Sequence, residues 1–111
     1  MTFEQLQEKV LSWANDKDLL HEENAEKQFM KFIEEVFEFK TEFDINYCPG
    51  RVRKGLKHNL KLEMGDIFVT LIILYEQIGI DPVECLEMAY EKIKNRAGKT
   101  INGQFIKEED L

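Results

Sequence analysis

Apolar residues recur every three or four positions over most of this chain, a spacing that predicts helices rather than strands. Phe3, Leu6, Val10 and Trp13 form a short amphipathic stripe over about 3–15, opened by Thr2 with Gln5 completing a capping box. The polar segment Asp16 to Glu23 reads as a loop. A second stripe, Ala25, Phe29, Phe32, Ile33, Val36, Phe39 and Phe43, predicts a helix over about 24–43 with this face in the core. The pattern breaks from Asp44 to His58, where Pro49-Gly50 marks a turn and Gly55 a second interruption. A third helix follows over about 59–78, stopped by Gly79. The fourth, over 82–97, has Asp81 as N-cap, Pro82 at its first position and Glu84 closing a capping box. Residues 99–111 form a tail with little periodicity, and its Asn102-Gly103-Gln104-Phe105 has no physical reading beyond docking on a neighbouring subunit.

The predicted fold is therefore all-α, a four-helix bundle in one domain spanning 1–111. The run Ile67 to Tyr75, interrupted only by Thr70, resembles a buried strand. Its helical flank and the lack of a partner strand favour a helix apolar on nearly every side. In so small a protein such a helix is expected at the centre of a dimer, so dimerisation would complete the bundle.

Composition narrows the function classes. Hydrophobic residues make up 43% of the 111 positions and charged residues 33%, a globular balance rather than a disordered one. A net charge of −7 argues against a nucleic-acid surface, which needs clustered Lys and Arg. The one concentrated basic run, Arg51-Val52-Arg53-Lys54, reads as a solvated turn or as a basic loop near a site. Cys48 and Cys85 have no metal or redox spacing and are expected as reduced thiols. Met1-Thr2-Phe3-Glu4 lacks signal-peptide character, and Ile67–Tyr75 is far short of a membrane span, so a cytoplasmic location is expected.

The acidic residues carry the chemistry. Glu35 and Glu38 sit three apart, with Glu34 beside them, and Glu63 and Asp66 repeat that spacing on the next helix. Each pair projects from one side of its helix. On the second helix alone, Glu34, Glu35 and Glu38 fall roughly opposite the apolar stripe and read as a solvated face. Glu63, however, falls inside the stripe of Leu60, Ile67, Leu71 and Leu74, with Asp66 at its margin. A buried carboxylate needs a cationic partner or a metal ion. Neither His21 nor His58 has a Glu three residues before it, which excludes the ferritin-like di-iron pattern. Oxygen-only ligands favour Mg²⁺, with Mn²⁺ possible, and phosphoryl or nucleotidyl hydrolysis fits such a centre.

These residues resemble the MazG-like all-α nucleoside triphosphate pyrophosphohydrolases, particularly their short phage-type, single-domain members. The signature is Glu-Glu-x-x-Glu followed by Glu-x-x-Asp, here Glu34, Glu35, Glu38 and Glu63, Asp66. Gln28 and Lys31 precede it as in Gln-x-x-Lys-x-x-Glu-Glu, Trp13 lies on the preceding helix, and Tyr90, Lys92, Ile93, Arg96 and Gly98 match the final helix. The resemblance spans nearly the whole chain. It implies hydrolysis of a (deoxy)nucleoside triphosphate to the monophosphate and pyrophosphate. It also implies Glu35, Glu38, Glu63 and Asp66 as Mg²⁺ ligands, Glu34 as a further ligand or the base, and a homodimer or dimer of dimers.

The substrate would need cations as well. Lys31 either reaches a phosphate or pairs within its helix with Glu35 or Glu34. Arg96, placed inward with Leu86, Ala89 and Ile93, meets a phosphate or a site carboxylate, and Lys92 flanks it. Trp13 either stacks on a base or packs in the core, and Gln28 is expected with Trp13, Lys31, Lys92 and Arg96 among the substrate-binding residues. Two other readings stay open: a non-catalytic helical oligomerisation or regulatory module, and a related hydrolase of dUTP or phosphoribosyl-ATP.

Overall fold

A computed structural model describes residues 1–48, 51–52 and 56–111, with side chains described outside 46–57. Four α-helices dominate: α1 (Phe3–Asp16), α2 (Ala25–Asn46), α3 (Leu56–Gln77) and α4 (Pro82–Lys94). Two short antiparallel pairs accompany them, β1 (Tyr47–Cys48) with β2 (Arg51–Val52), and β3 (Gly98–Ile101) with β4 (Gln104–Lys107). The described residues divide into two compact units, Met1–Gly79 and Ile80–Leu111.

The local signals behave as their chemistry requires. Thr2 accepts from the Gln5 backbone N–H at 3.1 Å and the Gln5 side chain accepts from Thr2 N at 2.9 Å, so α1 opens on a complete capping box. Gly79, at φ +71°, takes the left-handed conformation that ends α3 cheaply. Asp81 accepts from Glu84 N at 3.3 Å with Pro82 opening α4.

In the first unit α2 packs chiefly on α3, and α1 packs on α3 as well. The buried apolar residues among those described are Ala14, Ile72 and Ile73. The α2 stripe is not the closed core that its spacing predicts: Phe29 and Val36 are exposed, while Phe32, Ile33, Phe39 and Phe43 are half-buried. Likewise α3 buries Thr70, Ile72 and Ile73 but leaves Leu62, Phe68 and Leu71 exposed. One neighbour on each side covers only part of a helix that is apolar nearly all round.

The second unit corrects two expectations. Helix α4 stops at Lys94 rather than 97, with Asn95 as its C-cap, so Arg96 lies in the connection to β3 and not on a helix face. Leu86, Ala89 and Ile93, its expected inward companions, are exposed. The segment expected as an aperiodic tail is a β-hairpin, pairing Gly98 with Lys107 and Ile101 with Gln104. Asn102 (φ +51°) and Gly103 (φ +78°) supply the two left-handed turn residues a tight hairpin demands. Gly98 is set by close approach: a Cβ there would lie 2.2 Å from the Ile106 carbonyl oxygen and 2.6 Å from the Phe105 ring. Pro49-Gly50, Arg53, Lys54 and Gly55, expected as turn and basic loop, lie outside the described residues. No described helix is long and apolar enough to cross a membrane.

Candidate metal centre and adjoining pocket

Where α2 meets α3, Glu35, Glu63 and Asp66 bring carboxylate oxygens within 4.8 Å of one another. The three differ in setting: Glu35 is buried at 7% exposure, Glu63 is half-buried and Asp66 is exposed. The helical wheel put Glu35 on a solvated face, but α3 covers that side of α2 as well. Oε2 of Glu35 and Oε2 of Glu63 are both buried and receive no hydrogen bond from the described residues. Such an atom forfeits its hydration without recompense, a cost a native site normally removes with a donor, a water or a cation.

The electrostatics run the same way. The carboxyl of Glu38 has a raised pKa, first because its protonated form can hydrogen-bond Glu35, then through the charges of Glu35 and others nearby and through desolvation. Two ionised carboxylates cannot donate to each other, so that contact favours one retained proton. Glu63 is raised chiefly by desolvation, then by the charges of Asp66, Glu35 and Glu42. No ion pair reaches Glu63 among the residues whose side chains are described.

A pocket of about 400 Å³ opens beside the cluster, lined by Trp13, Gln28, Lys31, Glu35, Asp66 and Thr70 together with Leu19, Val69 and Ile73. Three helices thus bring together five residues singled out by the sequence. Trp13 is half-exposed at 50%, so core packing is not its role in this unit, and it also borders an apolar hollow with Leu6, Val10 and Val69. Lys31 makes both intrahelical pairs, 3.2 Å to Glu35 and 3.4 Å to Glu34, and these acids hold its pKa up. Its half-exposed ammonium still borders the pocket. Glu34 is exposed and engaged with Lys31. Gln28 donates its amide N–H to the Thr70 carbonyl oxygen at 3.1 Å.

Lys92 and Arg96 belong to the second unit, where with Lys107, Glu108 and Glu109 they line a polar pocket of about 440 Å³. Two residues, one acting on the carboxylate cluster and one lining the adjoining pocket, were not singled out as site residues from the sequence. Glu42, which acts on Glu63, lies four residues after Glu38 and seven after Glu35, a helical spacing that could have flagged it. Thr70 lies seven after Glu63, and its interruption of the apolar run was the visible signal.

A cation of the hard divalent type fits this donor set, because all its atoms are oxygens, and Glu35 and Glu63 each carry a buried oxygen with no hydrogen bond from the described residues. No family model matches the chain, and no solved structure matches it. The chain is similar to an uncharacterized 18.2 kDa protein in the rep-hol intergenic region of Haemophilus phage HP1, with 35% identity over 80 residues. The match covers 72% of this chain and 44% of that relative, so the chain spans less than half the relative's length.

Proposed function

We propose that this chain is a Mg²⁺-dependent nucleoside triphosphate pyrophosphohydrolase of the MazG-like all-α type, a homodimer or dimer of dimers acting in the cytoplasm. The observation that carries the reading is the convergence of Glu35, Glu63 and Asp66 from two helices, with a buried oxygen on each of Glu35 and Glu63 that receives no hydrogen bond from the described residues. In this reading they hold Mg²⁺ (or Mn²⁺) with Glu38 as the fourth ligand, and Glu34 is a further ligand or the base. When bound, the cation supplies charge neutralisation and Lewis acidity for attack of water on the α-phosphorus.

The chain's own residues account for the rest. Lys31, kept protonated by its acidic neighbours, offers a positive charge to the triphosphate at the pocket wall. The half-exposed Trp13 ring offers a flat apolar face to a nucleobase. Water adds to the α-phosphorus, the bond to the β-bridging oxygen breaks, and pyrophosphate departs with the electron pair. The water proton passes to a cluster carboxylate.

A second reading, a non-catalytic helical oligomerisation or regulatory module, is favoured by the exposed apolar side chains of Met30, Phe37, Leu62 and Phe68. Such a surface also suits a dimeric enzyme, including a related hydrolase of dUTP or phosphoribosyl-ATP. The deciding experiment measures pyrophosphate release from a panel of nucleoside triphosphates with and without Mg²⁺. Release that requires the metal and vanishes in Asp66→Asn supports hydrolysis. No release from any nucleotide leaves the module.

A further inference from the structure

One half-buried and two buried polar residues of the first unit follow one line along α3. Glu63, Thr70 and Gln77 are spaced by seven, which at 3.6 residues per turn places them nearly in register on one face. Each meets a group from across the fold. Glu63 faces Glu35, the Thr70 carbonyl accepts from Gln28 at 3.1 Å, and Gln77 donates to the Leu19 carbonyl at 2.7 Å. Gln28 and Glu35 are themselves seven apart on α2. The pairs Gln28–Thr70 and Glu35–Glu63 therefore belong to the same antiparallel register, about 10.5 Å apart along the helices.

Apolar packing alone defines that register poorly. Ile67 to Tyr75 is apolar on nearly all sides, so sliding α3 by one turn, about 5.4 Å, exchanges one set of aliphatic contacts for another. The slip would replace Glu63 opposite Glu35 by Ile67 in one direction or Asn59 in the other. Within the helix pair, carboxylates facing each other favour such a slip, because their charges repel. A polar contact at a partly buried helix interface opposes it, as single polar residues do in coiled coils.

We infer that Gln28 is a positioning residue: its hydrogen bond to the Thr70 carbonyl locks the α2–α3 register and so holds Glu35, Glu63 and Asp66 at cation-binding distance. The inference builds on the proposed metal site but assigns Gln28 no contact with substrate. Its amide nitrogen is committed to the helix partner two turns from the cluster.

The test uses the full chain carrying Gln28→Met, which keeps length and removes the donor, with Gln28→Glu as a second variant should the first aggregate. Spin labels at the exposed positions 27 and 61, in a background with Cys48 and Cys85 replaced by Ser and diluted with unlabelled protein, report the register without metal. Mn²⁺ titration followed by electron paramagnetic resonance reports the cluster. The expected result is a second inter-label distance about 5 Å from the first. Mn²⁺ binding should also weaken about fivefold while circular dichroism stays helical. An unchanged distance distribution with unchanged Mn²⁺ affinity overturns the inference. A broadened distribution in a chain whose unsubstituted form takes up no Mn²⁺ supports the register lock and sinks the metal reading instead.

Discussion

Glu35 and Glu63 approach each other from α2 and α3, and each keeps one buried carboxylate oxygen that receives no hydrogen bond from the described residues. Like charges so placed destabilise the metal-free fold and favour whatever neutralises them. The proposed activity and the electrostatic behaviour of the chain therefore share one origin.

Removing one carboxylate should separate the two effects. Glu63→Gln is expected to lower metal-dependent turnover by about 100-fold or more, the loss typical of a key electrostatic group. Without metal the same variant should melt at a higher temperature than the unsubstituted chain, because a crowded, desolvated charge is gone. Parallel pyrophosphate assays and thermal melts in chelator check both. A drop in metal-free melting temperature would mean that Glu63 has a stabilising partner.

The pH dependence follows in sign from the raised carboxyls of Glu38 and Glu63. The folded chain holds protons on them that the unfolded chain has released, so their contribution to stability is complete below the ordinary glutamate pKa. It is lost as pH rises through the folded values. Metal-free stability should fall across that window. Divalent-cation affinity should rise across it, since ligands must lose their protons to bind. Melting scans against pH with and without Mg²⁺ should show opposite slopes.

Lys31→Met should affect substrate as well as fold. Its pair with Glu34 is half-exposed and contributes little, whereas its pair with buried Glu35 also offsets that carboxylate's charge. If the ammonium meets a phosphate, KM for the nucleotide rises at temperatures well below the variant's melting transition. Equal KM in the two proteins would confine Lys31 to its intrahelical role.

Gly98→Ala should damage the second unit. The added Cβ meets the Ile106 backbone at 2.2 Å and the Phe105 ring at 2.6 Å, and the carbonyl cannot swing aside without breaking the β3–β4 ladder. Overpacking of this kind costs about 1–3 kcal/mol. Loss of the hairpin amide signals in NMR, with the α1–α3 resonances intact, is the expected outcome.

Exposed Met30 and Phe37 lie seven apart on α2, on one side of the helix. A self-associating chain should give a light-scattering mass at least twice the 13.1 kDa of the chain, reduced by Phe37→Glu. A single 13.1 kDa species at all concentrations would count against the dimer.

Much of the local architecture is legible in the sequence. The helices α1 to α3, the Thr2–Gln5 box, the Gly79 stop and the Asp81-Pro82 start rest on interactions within a few residues, which periodicity and capping chemistry expose directly. The hairpin was not read from the sequence, although Asn102-Gly103 is a strong turn signal. Weak alternation over strands of four residues each concealed it.

The tertiary structure alone decided which carboxylates meet. The spacing of Glu35, Glu38, Glu63 and Asp66 is a property of each helix. The burial of Glu35, the part played by Glu42 and the engagement of Gln28 with Thr70 depend on the register between helices. That register is set by a few polar contacts far apart in the chain, on surfaces whose apolar pattern admits several alignments. A wheel drawn for one helix carries no information about the partner that covers it, so it exposed Glu35 where α3 buries it.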